Sequence, residues 1–441
     1  MSTRRPFGFT VAVTAAVLAL LSGALVAVNM VQGIRLDFSV PDTSRLVSSA
    51  HQTISLEANQ QLEPLDESAV SITPAAPFSV ATAANRLAIS FESTLAYGTE
   101  YTVQVKGIVG SFSTTPRTET TTFTTPDAAV VVLRQSASGD SLVAVAIDPM
   151  GEDTVLFEAA EITDFAVSGD RVLVATADAD LSKRLITVGL RDREVTEVEL
   201  PGDGYASDLD SVPEYGLLGF RFDASVDASD FAFDRVLFVA EGEGTPRAMV
   251  ALDGKPLQVF DWRFIPAKPA LVAQDLGKDL LLVDLRPDRD LVPLGNYPDL
   301  LSVGRDGKSV VVGDALGMSR YDLTVGSVET ISFDQPDGQI AYPSDAVWLA
   351  DDRGVVRSFS VINPQTHLFE ERVTLEVGGQ THTLFTSADS EASVIEVSTS
   401  PNDAYLLIET AVGEGESSTA VFDLAAGEEI ARFVGSGAEW K

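Results

Sequence analysis

Three hydrophobic regimes follow one another along the chain. From Phe9 to Val28 the residues run FTVAVTAAVLALLSGALVAV, without a charge or a proline. At ~1.5 Å per residue this makes a helix of roughly 30 Å, the thickness of a bilayer's hydrocarbon core, so the run predicts a transmembrane helix over 9–28. From about Ile34 to Thr125 short alternating segments take over: Thr53–Leu56, Ala69–Ile72, Arg86–Phe91, Tyr101–Val105 and Thr121–Thr125. Period-two alternation buries one face, and several such strands in ~90 residues predict two stacked sheets over 34–126, punctuated by Pro74, Pro77, Tyr97-Gly98 and Pro116.

Over 128–441 apolar strands repeatedly end on an acidic or turn-forming residue and enter a tight turn. Val145-Ala146-Ile147-Asp148, Leu282-Val283-Asp284, Arg320-Tyr321-Asp322 and Val421-Phe422-Asp423 are clear instances, and Gly189, Asp253 and Asn363 mark related turns. Seven marks at a period of ~40 residues predict seven units. Strand, polar turn, apolar strand precedes several marks, as in Asp164–Ala175, Leu300–Val312 and Val394–Ile408. Four strands per unit without helices is the composition of a β-propeller blade. The first unit, Val130 to Ala159, supplies only three strands, while Glu439-Trp440-Lys441 are left over at the far end. That segment is expected to supply the missing inner strand and shut the ring. The fold class is therefore all-β: an N-terminal transmembrane helix, a β-sandwich and a β-propeller of seven blades.

Charge decides the address. Arg4 and Arg5 precede the apolar run and no acidic residue occurs before Asp37, so the positive-inside rule leaves 1–8 as a cytoplasmic stub and the rest of the chain extracytoplasmic. A cleavable signal has a shorter apolar region of ~7–15 residues, and Ser22-Gly23-Ala24 lies inside the run rather than after it, which favours an uncleaved signal anchor. Thirty basic against sixty-five acidic residues give −35, a charge that repels nucleic acid and anionic headgroups. Cysteine is absent, which excludes disulfides, thiolate zinc sites and cysteine nucleophiles.

The order Val70-Ser71-Ile72-Thr73-Pro74, Leu87–Phe91, Leu95-Ala96-Tyr97-Gly98-Thr99-Glu100-Tyr101-Thr102-Val103 and Phe123-Thr124-Thr125 resembles the Ig-like modules of bacterial surface-layer and envelope proteins. The resemblance implies a spacer or adhesive unit without catalytic residues. The array over 128–441 resembles the YVTN-type and TolB-like propellers of bacterial envelopes. Thr3–Phe7 resembles the opening of a twin-arginine export signal, from which Gly8-Phe9 departs.

Catalytic and metal signals are thin. His51, His367 and His382 are scattered, and the acidic groups Asp178/Asp180, Asp203/Asp208/Asp210, Asp227/Asp230/Asp234 and Asp351/Asp352 lack a calcium-loop spacing, so they are read as solvated turns. Gly304–Ser309 lacks the spacing of a phosphate loop and is read as a hairpin. No cofactor is expected. The binding candidates are Trp262 and Arg263, on a strand where blade packing competes with a mouth-facing role, and Phe231 and Phe233 in the acidic loop 223–234. The chain is thus read as a membrane-anchored, non-enzymatic scaffold whose propeller binds a protein or an envelope polymer. The alternative is a lactonase-type hydrolase with a metal-assisted site at the central mouth, which predicts carboxylates or histidines converging from the inner strands.

Overall fold

The computed structural model describes residues 11–22 and 34–441, apart from 112–114, 149–150, 178–182, 226–232, 243, 267, 287–290, 315–316, 334–338, 389–391 and 414–416. Residues 11–22 are helical, and among the described residues no helix is long and apolar enough to cross a membrane. Both ends of the 9–28 run, and Arg4 and Arg5, lie outside the described residues. The chain divides into two compact units, Met1–Pro126 and Asp127–Lys441.

In the first unit Leu36–Ser39, Thr53–Ala58, Arg86–Phe91 and Phe78–Ala83 form one antiparallel sheet, and Val70–Thr73, Glu100–Ile108 and Arg117–Thr124 form another. Alternation does what the pattern predicts. Ile54, Leu56, Leu87, Ile89 and Phe91 of one sheet share a core with Val70, Ile72, Val103, Val105 and Phe123 of the other. Tyr101 is buried there, stacked on Phe123 at 5.6 Å, and its hydroxyl accepts the Ala96 N–H.

The second unit contains seven four-stranded antiparallel sheets. Six are consecutive meanders, here blades 2 to 7, whose first strands are Glu161–Ser168, Gly204–Val212, Val259–Phe264, Asp299–Val303, Ala341–Trp348 and Ala392–Thr399. Blade 1 is shared between distant parts of the chain: Ser436–Trp440 pairs with Ala129–Arg134, followed outward by Asp140–Ala146 and Thr154–Ala159. The first strands touch one another in turn from blade 2 to blade 7, and Ser436–Trp440 touches both the blade 2 first strand and blade 7. A closed ring of sheets with these strands innermost is a β-propeller.

Each blade packs on the next through a separate apolar core, because the second strands are hydrophobic on both faces. Val130–Val132, Val172–Val174, Leu271–Ala273 and Val310–Val312 are all buried. Val212, Leu237 and Val239 of blade 3 meet Val259, Trp262 and Leu271 of blade 4, and blades 6 and 7 share Val356, Val373, Val397, Leu406 and Ile408. Gly219 is required by this packing, since a Cβ there would lie 2.5 Å from the Trp262 ring. Closure is non-covalent. Trp440 stacks on Tyr405 at 6.1 Å and the Lys441 N–H donates to the Ala129 carbonyl, so no inner edge strand is left unpaired.

Candidate functional site

Every innermost strand carries one β-bulge against its neighbour, and the residue that resumes the pairing is polar in all seven blades: Glu439, Asp164, Asp210, Asp261, Ser302, Asp345 and Glu396 in order from blade 1. A bulge re-aims a side chain, and here it delivers six carboxylates and a serine to equivalent places on the inner strands. Asp164, Asp210, Asp261 and Asp345 each accept the N–H of the following residue on Oδ1, at 2.7–2.8 Å.

The second oxygen reaches the adjacent blade. Asp164 Oδ2 accepts the Leu209 N–H of blade 3 at 3.0 Å, Asp210 Oδ2 accepts the Phe264 N–H of blade 4 at 2.8 Å, and Glu439 Oε2 accepts the Val167 N–H of blade 2 at 2.6 Å. Ser302 Oγ donates to the Ala346 carbonyl of blade 6, and Glu409 of blade 7 accepts the Gly437 N–H of blade 1. The polar residues thus clasp blade to blade where apolar packing ends.

Burial raises the pKa of several of these acids. Desolvation pushes Asp164 and Asp210 up against the amides that stabilise their charge, and it pushes Glu439 well above the ordinary range with help from Asp210, Glu396 and Asp164. Asp345 rises to about 6 through burial, opposed by the Ala346 amide, Ser302 and Arg263. Asp208, Glu396 and Glu409 are also raised by burial, Glu396 further by Glu409 and Asp345. Arg221 pairs with Asp208, and Arg263 stands among several of the acids. Burial opposes the charge of Arg263, but Asp261, Asp210, Glu396 and Asp208 outweigh it and hold the guanidinium above its usual value. Nearly half of that side chain (47%) remains open to solvent, and Nη1 donates to Asp261 Oδ1 at 2.9 Å. Among the described residues no group of three His, Cys, Asp or Glu is placed to hold a metal ion. His367 lies in a turn and His382 on the outermost strand of blade 6.

Trp262 and Arg263, adjacent in sequence, part company. Trp262 is fully buried against Phe264 in the core between blades 3 and 4, so its position is a packing one, whereas Arg263 faces the axial acids. Phe233 packs edge-on against Phe222 and Phe238 inside blade 3, and Phe231 lies outside the described residues. The reading of Asp208 and Asp210 as turn residues is corrected: both lie on the inner strand Gly204–Val212, where Asp210 reaches the Phe264 N–H of blade 4 and Asp208, still 36% accessible, pairs with Arg221. Asp352 does sit in a turn, paired with Arg320. Asp178, Asp180, Asp227 and Asp230 lie outside the described residues.

Two surface features were not singled out by sequence. At one end of blade 6, Tyr342, Ile362, Leu368 and Phe369 form an exposed apolar patch, with Leu368 66% and Phe369 63% accessible and the Tyr342 and Phe369 rings 5.3 Å apart. Near the other end of that blade a cavity of about 570 Å³ opens against blade 5, lined by Arg320, Trp348, Arg353, Arg357 and Glu376 among others.

Fold and site together define the class: a closed seven-bladed β-propeller with a ring of partly buried carboxylates on its innermost strands, preceded in the chain by a two-sheet sandwich unit. No family model matches the sequence, and no curated protein matches it. Solved structures with a similar fold include TolB from Acinetobacter baumannii, at 12% identity and a TM-score of 0.39 over 84% of this chain and 82% of that one. The β-propeller domain of the Trilobed protease from Pyrococcus furiosus is similar at 10% identity and a TM-score of 0.44, over 66% and 88% of the two chains. Dihydro-heme d1 dehydrogenase NirN is similar at 12% identity and a TM-score of 0.45, over 70% and 74%.

Proposed function

We propose that this chain is a recognition protein of the cell envelope: anchored by the apolar segment 9–28, spaced from the bilayer by an Ig-like first unit, and presenting the propeller outside the cytoplasm to a protein or envelope-polymer partner. The observation that carries recognition over turnover is the use of the axial carboxylates. Asp164 and Asp210 spend both oxygens on backbone N–H groups, one in their own blade and one in the next. A carboxylate whose two oxygens are each fixed by a backbone amide is held as a structural acceptor, which favours a bracing role over proton transfer. The blade 6 patch supplies the contact surface, because clustered exposed aromatic and aliphatic side chains are what protein interfaces bury at their centres.

The test is a photo-cross-linking residue at Phe369 of the full chain, in its native envelope. The expected result is one recurrent cross-linked product; labelling of lipid alone, or none, contradicts recognition through this surface. A reporter fused after Lys441 is expected to be active outside the cytoplasm, and activity inside contradicts the anchor.

A second reading, a hydrolase, draws on one observation: Asp345 and Glu396, both with raised pKa, stand near Arg263 on the same axis. It requires a hydrolytic activity that Asp345→Asn abolishes.

A further inference from the structure

The cavity between blades 5 and 6 gathers three arginines, Arg320, Arg353 and Arg357, on a chain with more than two acidic residues per basic one. Each is held by a carboxylate: Arg320 by Asp352 at 2.8 Å, Arg353 by Asp403 at 3.1 Å and Arg357 by Glu376. Arg320 also lies over the Trp348 ring, 4.8 Å from its centroid. Such pairing fixes the guanidinium planes without exhausting them. Arg320 and Arg357 each spend Nη1 on their carboxylate, and a guanidinium carries five N–H donors.

Resting on the envelope-recognition reading, we propose that this cavity binds a carboxylated sugar, a uronate-type residue of an anionic envelope polymer. A planar carboxylate matches the arginine fork and accepts two parallel hydrogen bonds. Glu329, Asp352 and Glu376, which also line the cavity, are acceptors suited to sugar hydroxyls, and the part of Trp348 that Arg320 leaves uncovered offers an apolar edge to the C–H groups of a pyranose ring. Local charge selects carboxylate over phosphate: with Asp403 four carboxylates surround the three arginines, and a phosphate monoester brings about −1.5 to −2 against them where a carboxylate brings one. Apart from Trp348 the apolar lining is slight, Ile331 and Val355, which disfavours a peptide C-terminus with a side chain to bury. The volume suits one or two sugar units, within the roughly 300–1,000 Å³ of ligand pockets.

Titration calorimetry on the full chain in detergent tests this with a galacturonate trimer, its methyl ester, galactose 6-phosphate and a short peptide with a free C-terminus. The trimer is expected to bind and the others to bind at least tenfold more weakly. Arg320→Gln, whose partner Asp352 is exposed, is expected to weaken the trimer about tenfold through loss of one charge-assisted bond. Glu329→Gln, on an exposed outer strand, is expected to tighten it about threefold by removing a like charge. Equal binding of the ester, the phosphate or the peptide overturns the proposal, as does no binding, or an unchanged affinity in both folded variants. The Phe369 cross-link reports recognition at the opposite end of blade 6, so it distinguishes failure of this site from failure of the recognition reading.

Discussion

The two units solve the same problem, holding sheets together, with opposite chemistry at their centres. In the sandwich the middle is continuous hydrocarbon: Ile54, Leu56, Leu87, Ile89, Val103 and Val105 are all inaccessible. In the propeller the hydrocarbon lies between blades, and the innermost strands carry a ring of partly buried acids, most of them bonded to backbone amides. Seven wedge-like sheets converge on their innermost strands, and a bulged polar residue satisfies backbone groups where packing runs out, two each at Asp164 and Asp210. The difference teaches that the sandwich is centred on apolar burial, while the propeller also places groups that titrate at its centre.

The largest effect expected is from removing the closing strand. A chain ending at Val434 loses the Trp440–Tyr405 stack, the Lys441 bond and the Glu439 clasp, and leaves Ala129–Arg134 as an open inner edge. Calorimetry is expected to show the propeller transition abolished and the sandwich transition retained. Next is Asp210→Asn, which keeps the shape but offers one acceptor where two N–H groups point at it. A loss of about 2–3 kcal/mol in propeller stability is expected by chemical denaturation, the scale of a buried donor left unpaired.

Asp345→Asn sharpens the comparison by going the other way. Its folded pKa, about 6, lies above the ordinary 3.8, so the folded state binds the proton more tightly than the unfolded one. Stability from this group is complete below the unfolded value and is lost as pH rises from ~4 to about 6. The amide can still accept the Ala346 N–H through its oxygen. Denaturation at pH 7 should therefore show a gain of up to about 3 kcal/mol, shrinking toward zero at pH 4, with the sandwich unchanged at both. Smallest is Phe369→Ser. An exposed site costs within about 0.5 kcal/mol, while the partner cross-link from a probe at Tyr342 should fall several-fold.

Much of the architecture was legible because strand and turn signals are local. Asp284, Asp322 and Asp423 do end third strands, and each caps its turn by accepting the N–H two residues on. The same chemistry misleads as a ruler. Asp253 caps a turn beyond the outer strand of blade 3 and Asn363 follows the second strand of blade 6, since such a turn carries no information about which strand it ends. Closure by the C-terminal segment was readable from a count of strands, and blade 1 is completed that way.

The axial ring was not readable residue by residue. Asp208 and Asp210 looked like turn acids because charge density is visible in sequence and enclosure is not. The signal was a register: one carboxylate directly before an apolar residue in most repeats, as in Asp164-Phe165, Asp261-Trp262, Asp345-Ala346, Glu396-Val397 and Glu439-Trp440. Bulges hid it by breaking the alternation at that point. The blade 5–6 cavity was illegible for a different reason, since Arg320 and Arg357 come together only through the pairing of two sheets.

Hydrogen exchange at the amides of Val167, Leu209 and Phe264 tests the clasp most directly. Protection in the slowest class, lost at Phe264 alone in Asp210→Asn and at Leu209 alone in Asp164→Asn, is the predicted result. Exchange as fast as in surface turns, or protection indifferent to both substitutions, would show that the blades are held without their acids.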